Sequence, residues 1–271
     1  MNPSPRVDAR WPEVEHRFLV DADEAHRFLD AVRPHLPIAV RDPDQPVEFI
    51  RTTYFDTDDL TLFRTNQPAT SWRVRIRQYA SAPDHRTAPR LGEMCAFEIV
   101  EHARALRRKV RTVGSPTEIA RILRGDEGGG VRPSRVPPAL DYSARAIQLG
   151  DLKPRLTTWF RRLGHAAGGV RVTIDQSIEF SQPVGFGIPG DLAAPPAVIG
   201  RGPPLVLEVK LRVEPPPWLL LAMQQLFLVT QFSKFRDGLL ALRFAEREHL
   251  SRSPSGPVQV AGPRPWAGPP P

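Results

Sequence analysis

The chain has 271 residues, 41% hydrophobic and 25% charged, enough to bury a substantial core in one large domain or two small ones. A formal net charge of +7 favours an anionic partner, whether nucleic acid, a membrane surface or a small phosphate. The single cysteine, Cys95, excludes an intrachain disulfide and a cysteine-based zinc site, and suits a reducing cytoplasm.

Residues 1–11 are polar and contain prolines but no apolar stretch, so they read as a disordered leader and not as a signal peptide. Glu13, Glu15 and Arg17 alternate with Val14 and His16, the period of a strand with one ionic face. Residues 21–32 predict a helix, with Asp21 as N-cap and Phe28, Leu29 and Val32 at helical spacing. A strand over 48–56 is followed by a short helix over 58–64. Arg73, Arg75 and Arg77 alternate with Val74 and Ile76, and a loop is expected at 83–92. Glu98 sits between Phe97 and Ile99, and Arg107, Lys109 and Arg111 are separated by Arg108 and Val110. Ser115 to Glu118 form a capping-box pattern with proline at the first helical position, predicting a helix to 123. A Gly/Pro-rich loop over 125–138 precedes a helix at 139–147. Arg171, Thr173 and Asp175 alternate with Val170, Val172 and Ile174. Beyond a loop at 185–204, Glu208, Lys210 and Arg212 alternate with Leu207, Val209 and Leu211. Residues 217–229 and 234–247 read as a C-terminal helix pair. The first contains the longest apolar run, 218–229, read as a buried helix too short to cross a bilayer. Residues 250–271 form a Pro/Gly-rich tail expected to be disordered.

A solvated face explains any one of these ionic strands. Arginines or carboxylates stacked at i, i+2, i+4 on at least five strands are harder to explain, because rows of like charge repel unless opposite charge sits among them. A closed or nearly closed antiparallel barrel resolves this, with apolar faces outward under helices and ionic faces converging on a lumen. Guanidinium forks fit phosphate oxygens, and carboxylates in the same lumen fit Mg²⁺ or Mn²⁺ bridging to phosphate. Lysine occurs only at Lys109, Lys153, Lys210 and Lys234, so lysines kept on these faces stand out against an arginine background.

Several segments, in order, resemble the vacuolar transporter chaperone (VTC) domain of polyphosphate polymerases, within the triphosphate tunnel metalloenzyme superfamily. They are VEHRFLV (14–20), TTYFDTDDLTLF (52–63), RVRIRQY (73–79), FEIV (97–100), KVR (109–111), WFRR (159–162), RVTID (171–175), LEVK (207–210), Pro217-Trp218 and FSKF (232–235). The resemblance spans roughly residues 13–247 and implies an α+β tunnel domain over 12–249: an antiparallel β-barrel with flanking helices and a C-terminal helix pair. It further implies transfer of the γ-phosphate of ATP to a growing polyphosphate chain, with ATP and polyphosphate or pyrophosphate as partners and Mn²⁺ or Mg²⁺ as cofactor. On this resemblance Arg17, Arg75, Arg77, Lys109, Arg161, Arg171 and Lys234 are the catalytic clamps, and Ser233, Arg111 and Lys210 bind substrate. Glu208, Glu98 and Glu15 are the metal ligands. The expected setting is cytoplasmic, with no membrane span and no nucleic acid, since no nucleic-acid-binding signature accompanies the net charge. Three positions depart from the family pattern: Arg17 replaces a lysine, Val100 stands where Glu-Ile-Lys supplies one, and Gln231 stands where a basic residue often precedes Phe-Ser-Lys. The row Glu13-Glu15-Arg17 supports a triphosphate hydrolase of the same superfamily as an alternative. Val100 and Gln231 support a non-catalytic binder of polyphosphate or inositol phosphates.

Overall fold

A computed structural model of the chain describes residues 13–64, 70–84, 86–103, 106–119, 152–183, 198–228 and 232–251. The alternating segments become strands, each burying one apolar face. They are β1 (Val14–Leu19), β2 (Val47–Asp56), β3 (Thr70–Ala82), β4 (Arg90–Ala103), β5 (Leu106–Gly114), β6 (Lys153–Ala167), β7 (Val170–Ser181), β8 (Val198–Arg201) and β9 (Leu205–Leu211). The helices are α1 (Ala22–Val32), α2 (Thr61–Arg64), α3 (Pro217–Met223) and α4 (Lys234–Ser251). One antiparallel sheet runs in the order β1-β9-β7-β6-β2-β3-β4-β5, with β8 paired to β7. Among the described residues no pairing joins the edge strands β1 and β5 into a hydrogen-bonded barrel, yet the sheet curls enough that residues of both line one cavity.

Register carries the alternation from strand to strand, since directly paired residues share a face. Arg17 pairs with Glu208, Glu208 with Thr173, and Asp175 with Arg162. Across the next strands, Arg162 pairs with Glu48, Tyr54 with Arg75, Arg75 with Glu98, and Glu98 with Arg111. The ionic faces predicted separately are therefore one continuous inner face.

Outside β7 and β9, Val170, Val172, Ile174, Leu207 and Val209 pack under α1 through Phe28, Leu29 and Val32. A capping box starts α1: the Asp21 carboxylate accepts from Glu24 N at 2.7 Å, and Glu24 accepts from Asp21 N at 2.9 Å. A second cluster, Phe55, Leu62, Val74, Ile76, Phe97 and Ile119, fills the outer side of β2 to β4. Helix α4 packs instead on the apolar end of the inner region, against Ile50, Tyr54, Leu156, Phe160, Phe180 and Val206. Its approach is close because Gly238 has no side chain: a Cβ there would lie 2.5 Å from Leu156 Cδ2.

Several expectations change. The segment 217–229 is not a buried helix. Its helix ends at Met223; Leu219 is buried, while Leu220, Leu221 and Phe227 face outward, Phe227 being 83% exposed. Helix α3 lies against α1 and has one side to bury there, centred on Leu219 with Trp218, Ala222 and Met223 partly buried beside it. Residue 58 lies outside α2, which is only four residues long and begins at Thr61. The loop expected at 83–92 is shorter, as β4 begins at Arg90, and β8 occupies part of the stretch 185–204. Ser115 caps the following turn through Glu118, as its sequence pattern suggests. The leader at 1–11, the loop at 125–138, the helix at 139–147, most of the tail at 250–271, and Gln231 lie outside the described residues. No helix among the described residues is long and apolar enough to cross a membrane.

Candidate functional site: a cationic cavity inside the curled sheet

The inner face encloses a cavity of about 190 Å³, lined from every strand except β4 and β8. Eleven basic side chains line it against three glutamates. Of the residues expected in the site, Arg17, Arg75, Arg77, Lys109, Arg111, Arg171, Lys210, Ser233, Lys234, Glu15 and Glu208 meet there. Two do not line it. Arg161 turns to the other face of β6, where its Nε donates to Gln176 Oε1 at 2.9 Å, and its neighbour Arg162 lines the cavity instead. Two consecutive arginines leave the inward one undefined in the sequence; pairing of Arg162 with Glu48 and Asp175 decides it. Glu98 lies in the wall, fully buried, with Arg75 and Lys109 in front of it.

Two ionic clusters organise the wall. In the first, Glu208 on β9 takes Arg17 Nε at 3.2 Å, with Arg162, Lys210 and Lys234 each at 3.8 Å. Burial opposes ionisation of Glu208, but Lys234, Lys210, Arg162 and Arg17 outweigh it and hold its carboxyl well below the usual range. Glu15 shares two of these cations: Arg17 bonds to its Oε1, and Lys210 lies 3.0 Å from its Oε2. Beneath them Asp175, fully buried, accepts a fork from Arg162 at 2.6 and 2.7 Å and Lys234 Nζ at 2.7 Å. Burial of Asp175 is likewise outweighed, by Arg162 and Lys234, and its pKa falls. The second cluster surrounds Glu98, which takes Arg75 at 2.8 Å, Lys109 at 2.6 Å and Arg111 at 3.6 Å. Burial again opposes ionisation, and Arg75 and Arg77 overcome it to bring Glu98 to about 2.

The remaining cations are less neutralised. Among the described residues Arg77 donates only to Thr52 Oγ1, at 3.4 Å, and burial beside Arg75 lowers its pKa. Arg171 is lowered by burial and then by Arg162. Arg41, from the segment before β2, lies 3.2 Å over the Tyr79 ring and 3.5 Å from Glu48. At α4, Ser233 both lines the cavity and caps the helix, its Oγ accepting from Arg236 N at 3.4 Å. That helix start directs its positive dipole end and Lys234 toward the lumen.

Reasoning from sequence missed Arg41, Glu48, Tyr54, Arg73, Tyr79, Arg162 and Asp175 as parts of this site. Arg73 and Asp175 stood in the alternating rows and were legible there. Arg41 lies outside any periodic segment and carries no such signal.

The model of the VTC domain family matches residues 13–243. No curated protein matches the chain. Among solved structures, a candidate adenylate cyclase from Bacillus halodurans is 14% identical, with 84% of this chain and 97% of that one covered and a TM-score of 0.49. The PH1012 protein of Pyrococcus horikoshii is 11% identical, with 82% and 98% covered and a TM-score of 0.43. A hypothetical protein of Pyrococcus furiosus is 12% identical, with 82% and 98% covered and a TM-score of 0.40.

Proposed function

The chain belongs to the VTC domain family, and from that premise we propose that it is a polyphosphate polymerase that elongates polyphosphate or pyrophosphate from ATP. The observation that carries this reading is the cavity itself: eleven cations face a narrow space with three lining glutamates to offset them. Such a site stays repulsive until a highly charged anion fills it.

In the proposed reaction a terminal oxygen of the acceptor chain forms a bond to the γ-phosphorus of ATP. The bond from that phosphorus to the β–γ bridging oxygen breaks, and ADP leaves with the bonding electron pair. The protein aligns the two anions and neutralises charge spreading over the transferred group. In this reading Arg75, Arg77 and Arg171, which line the cavity, clamp the donor phosphates. Lys234, held by Asp175, and Ser233 receive the acceptor chain.

A divalent cation fits one part of the wall. Glu208 and Glu15 are adjacent oxygen donors sharing Arg17 and Lys210, and Mg²⁺ or Mn²⁺ characteristically uses one or two carboxylates and completes its shell with phosphate oxygens. No group of three or more candidate ligands exists among the described residues. Glu98 is a poorer ligand because it is fully buried in the wall behind Arg75 and Lys109 and does not line the cavity. When bound, the metal would neutralise phosphate charge and polarise the phosphoryl oxygens.

Incubating purified protein with ATP and Mn²⁺ and separating polymer from free phosphate tests the proposal. Polymer is expected, with synthesis falling at least about tenfold in Lys234→Ala, the scale of one charge-assisted hydrogen bond. Free phosphate without polymer would identify a triphosphate hydrolase. Tight binding of ATP or polyphosphate without turnover would identify a binding module.

A further inference from the structure

Arg73 opens the inward row of β3 and lines the cavity, yet the protein gives it little to hold. Its Nε is buried with no hydrogen-bond partner, and no carboxylate lies within ion-pair distance of it among the described residues. Its neighbours differ. Arg17 has Glu15 and Glu208, Arg75 has Glu98, and Arg162 has Asp175. On its other side Arg73 pairs in register with Val100, and Val100 pairs with Lys109. Val100 is buried and apolar, so the row Arg73–Val100–Lys109 presents two cations with no acceptor between them. Burial, with repulsion from Arg17 and Arg75, outweighs the opposing influence of Tyr54 and Glu15 and brings Arg73 down to about 10. A half-buried guanidinium with its Nε buried and unpaired beside two others costs stability, and an anion supplied from outside offsets that cost.

Arg77 and Arg171 are the other lumen arginines without a carboxylate at ion-pair distance among the described residues. Arg77 lies four positions along β3 from Arg73, about 13 Å at the rise of a strand. One small phosphate ion does not bridge that length, whereas a chain of linked phosphoryl groups does.

We infer that Arg73 is an additional phosphate-binding residue, set far enough along β3 from Arg77 to engage a further phosphoryl group of a bound chain that pyrophosphate held at Arg77 does not present. The inference rests on reading the cavity as a phosphate site, and it does not require polymer synthesis.

Titration calorimetry with pyrophosphate, tripolyphosphate and a longer polyphosphate, together with thermal melts of the ligand-free protein, provides the test on wild type, Arg73→Met and Arg73→Lys. Arg73→Met should weaken tripolyphosphate and longer polyphosphate about tenfold or more, change pyrophosphate less than about threefold, and leave the ligand-free melting temperature equal or higher. Arg73→Lys should recover part of the lost affinity. Unchanged tripolyphosphate affinity in Arg73→Met overturns the inference. So does an equal loss for all three ligands with a lowered melting temperature, which marks a structural role. Absence of phosphate binding in the wild type overturns it together with the reading of the cavity. Selective loss for the longer anions in a protein that makes no polymer supports it while removing the polymerase proposal.

Discussion

Glu98→Gln removes the negative centre of the second ionic cluster without changing its shape. The wild-type carboxylate is fully buried and meets Arg75 at 2.8 Å and Lys109 at 2.6 Å. Its pKa falls from 4.5 to about 2, a difference worth about 3 kcal/mol of stability at neutral pH. That agrees with the ~3–5 kcal/mol lost when one member of a buried ion pair is deleted. The sign follows from the depressed value: this contribution is complete above the unfolded-state pKa near 4.5 and disappears as pH falls toward 2. Urea unfolding of wild type and Glu98→Gln should therefore differ by about 3 kcal/mol at pH 7 and by about 1.4 kcal/mol at pH 3, where only one pH unit of the shift remains. A difference below about 1 kcal/mol at pH 7, or one that does not shrink at pH 3, would refute the claim that Glu98 neutralises this wall.

Two further substitutions probe how α4 and the first cluster hold Lys234. Gly238→Ala gains roughly 1 kcal/mol of helix propensity but drives a methyl group to 2.5 Å from Leu156 Cδ2 and 2.9 Å from Phe180 Cδ1, both in fully buried side chains. A net loss of about 1–2 kcal/mol is expected in thermal or urea melts, and a gain would mean that α4 does not press on the sheet this closely. Asp175→Asn leaves Arg162 and Lys234 buried without their shared carboxylate and should cost about 3–5 kcal/mol. Adding Lys234→Ala to it should cost less than the sum of the two single changes, and strict additivity would argue against the coupling.

Period two made most of the site legible. Because side chains alternate across a strand, Glu15 with Arg17, Arg75 with Arg77, and Glu208 with Lys210 had to share faces, and each pair meets in the cavity. Where the pattern was degenerate the reading drifted. Arg161 and Arg162 are equivalent in sequence, and only the cross-strand partners Glu48 and Asp175 select Arg162. The apolar run of α3 looked buried because hydrophobicity alone cannot say how many sides of a helix find a neighbour; one did, at Leu219.

What the sequence determined by itself was therefore most of the strands, the ionic side of those with a clean alternation, and the excess of positive charge on that side, all consequences of local geometry and charge; β8 and the inward arginine of β6 were not legible. The tertiary structure decided which ions neutralise one another. Glu208 collects cations from β1, β6, β9 and α4, whereas Glu98 draws its cations from β3 and β5. Those partners stand up to 191 residues apart in the chain, as for Arg17 and Glu208, and only strand order and register bring them within reach.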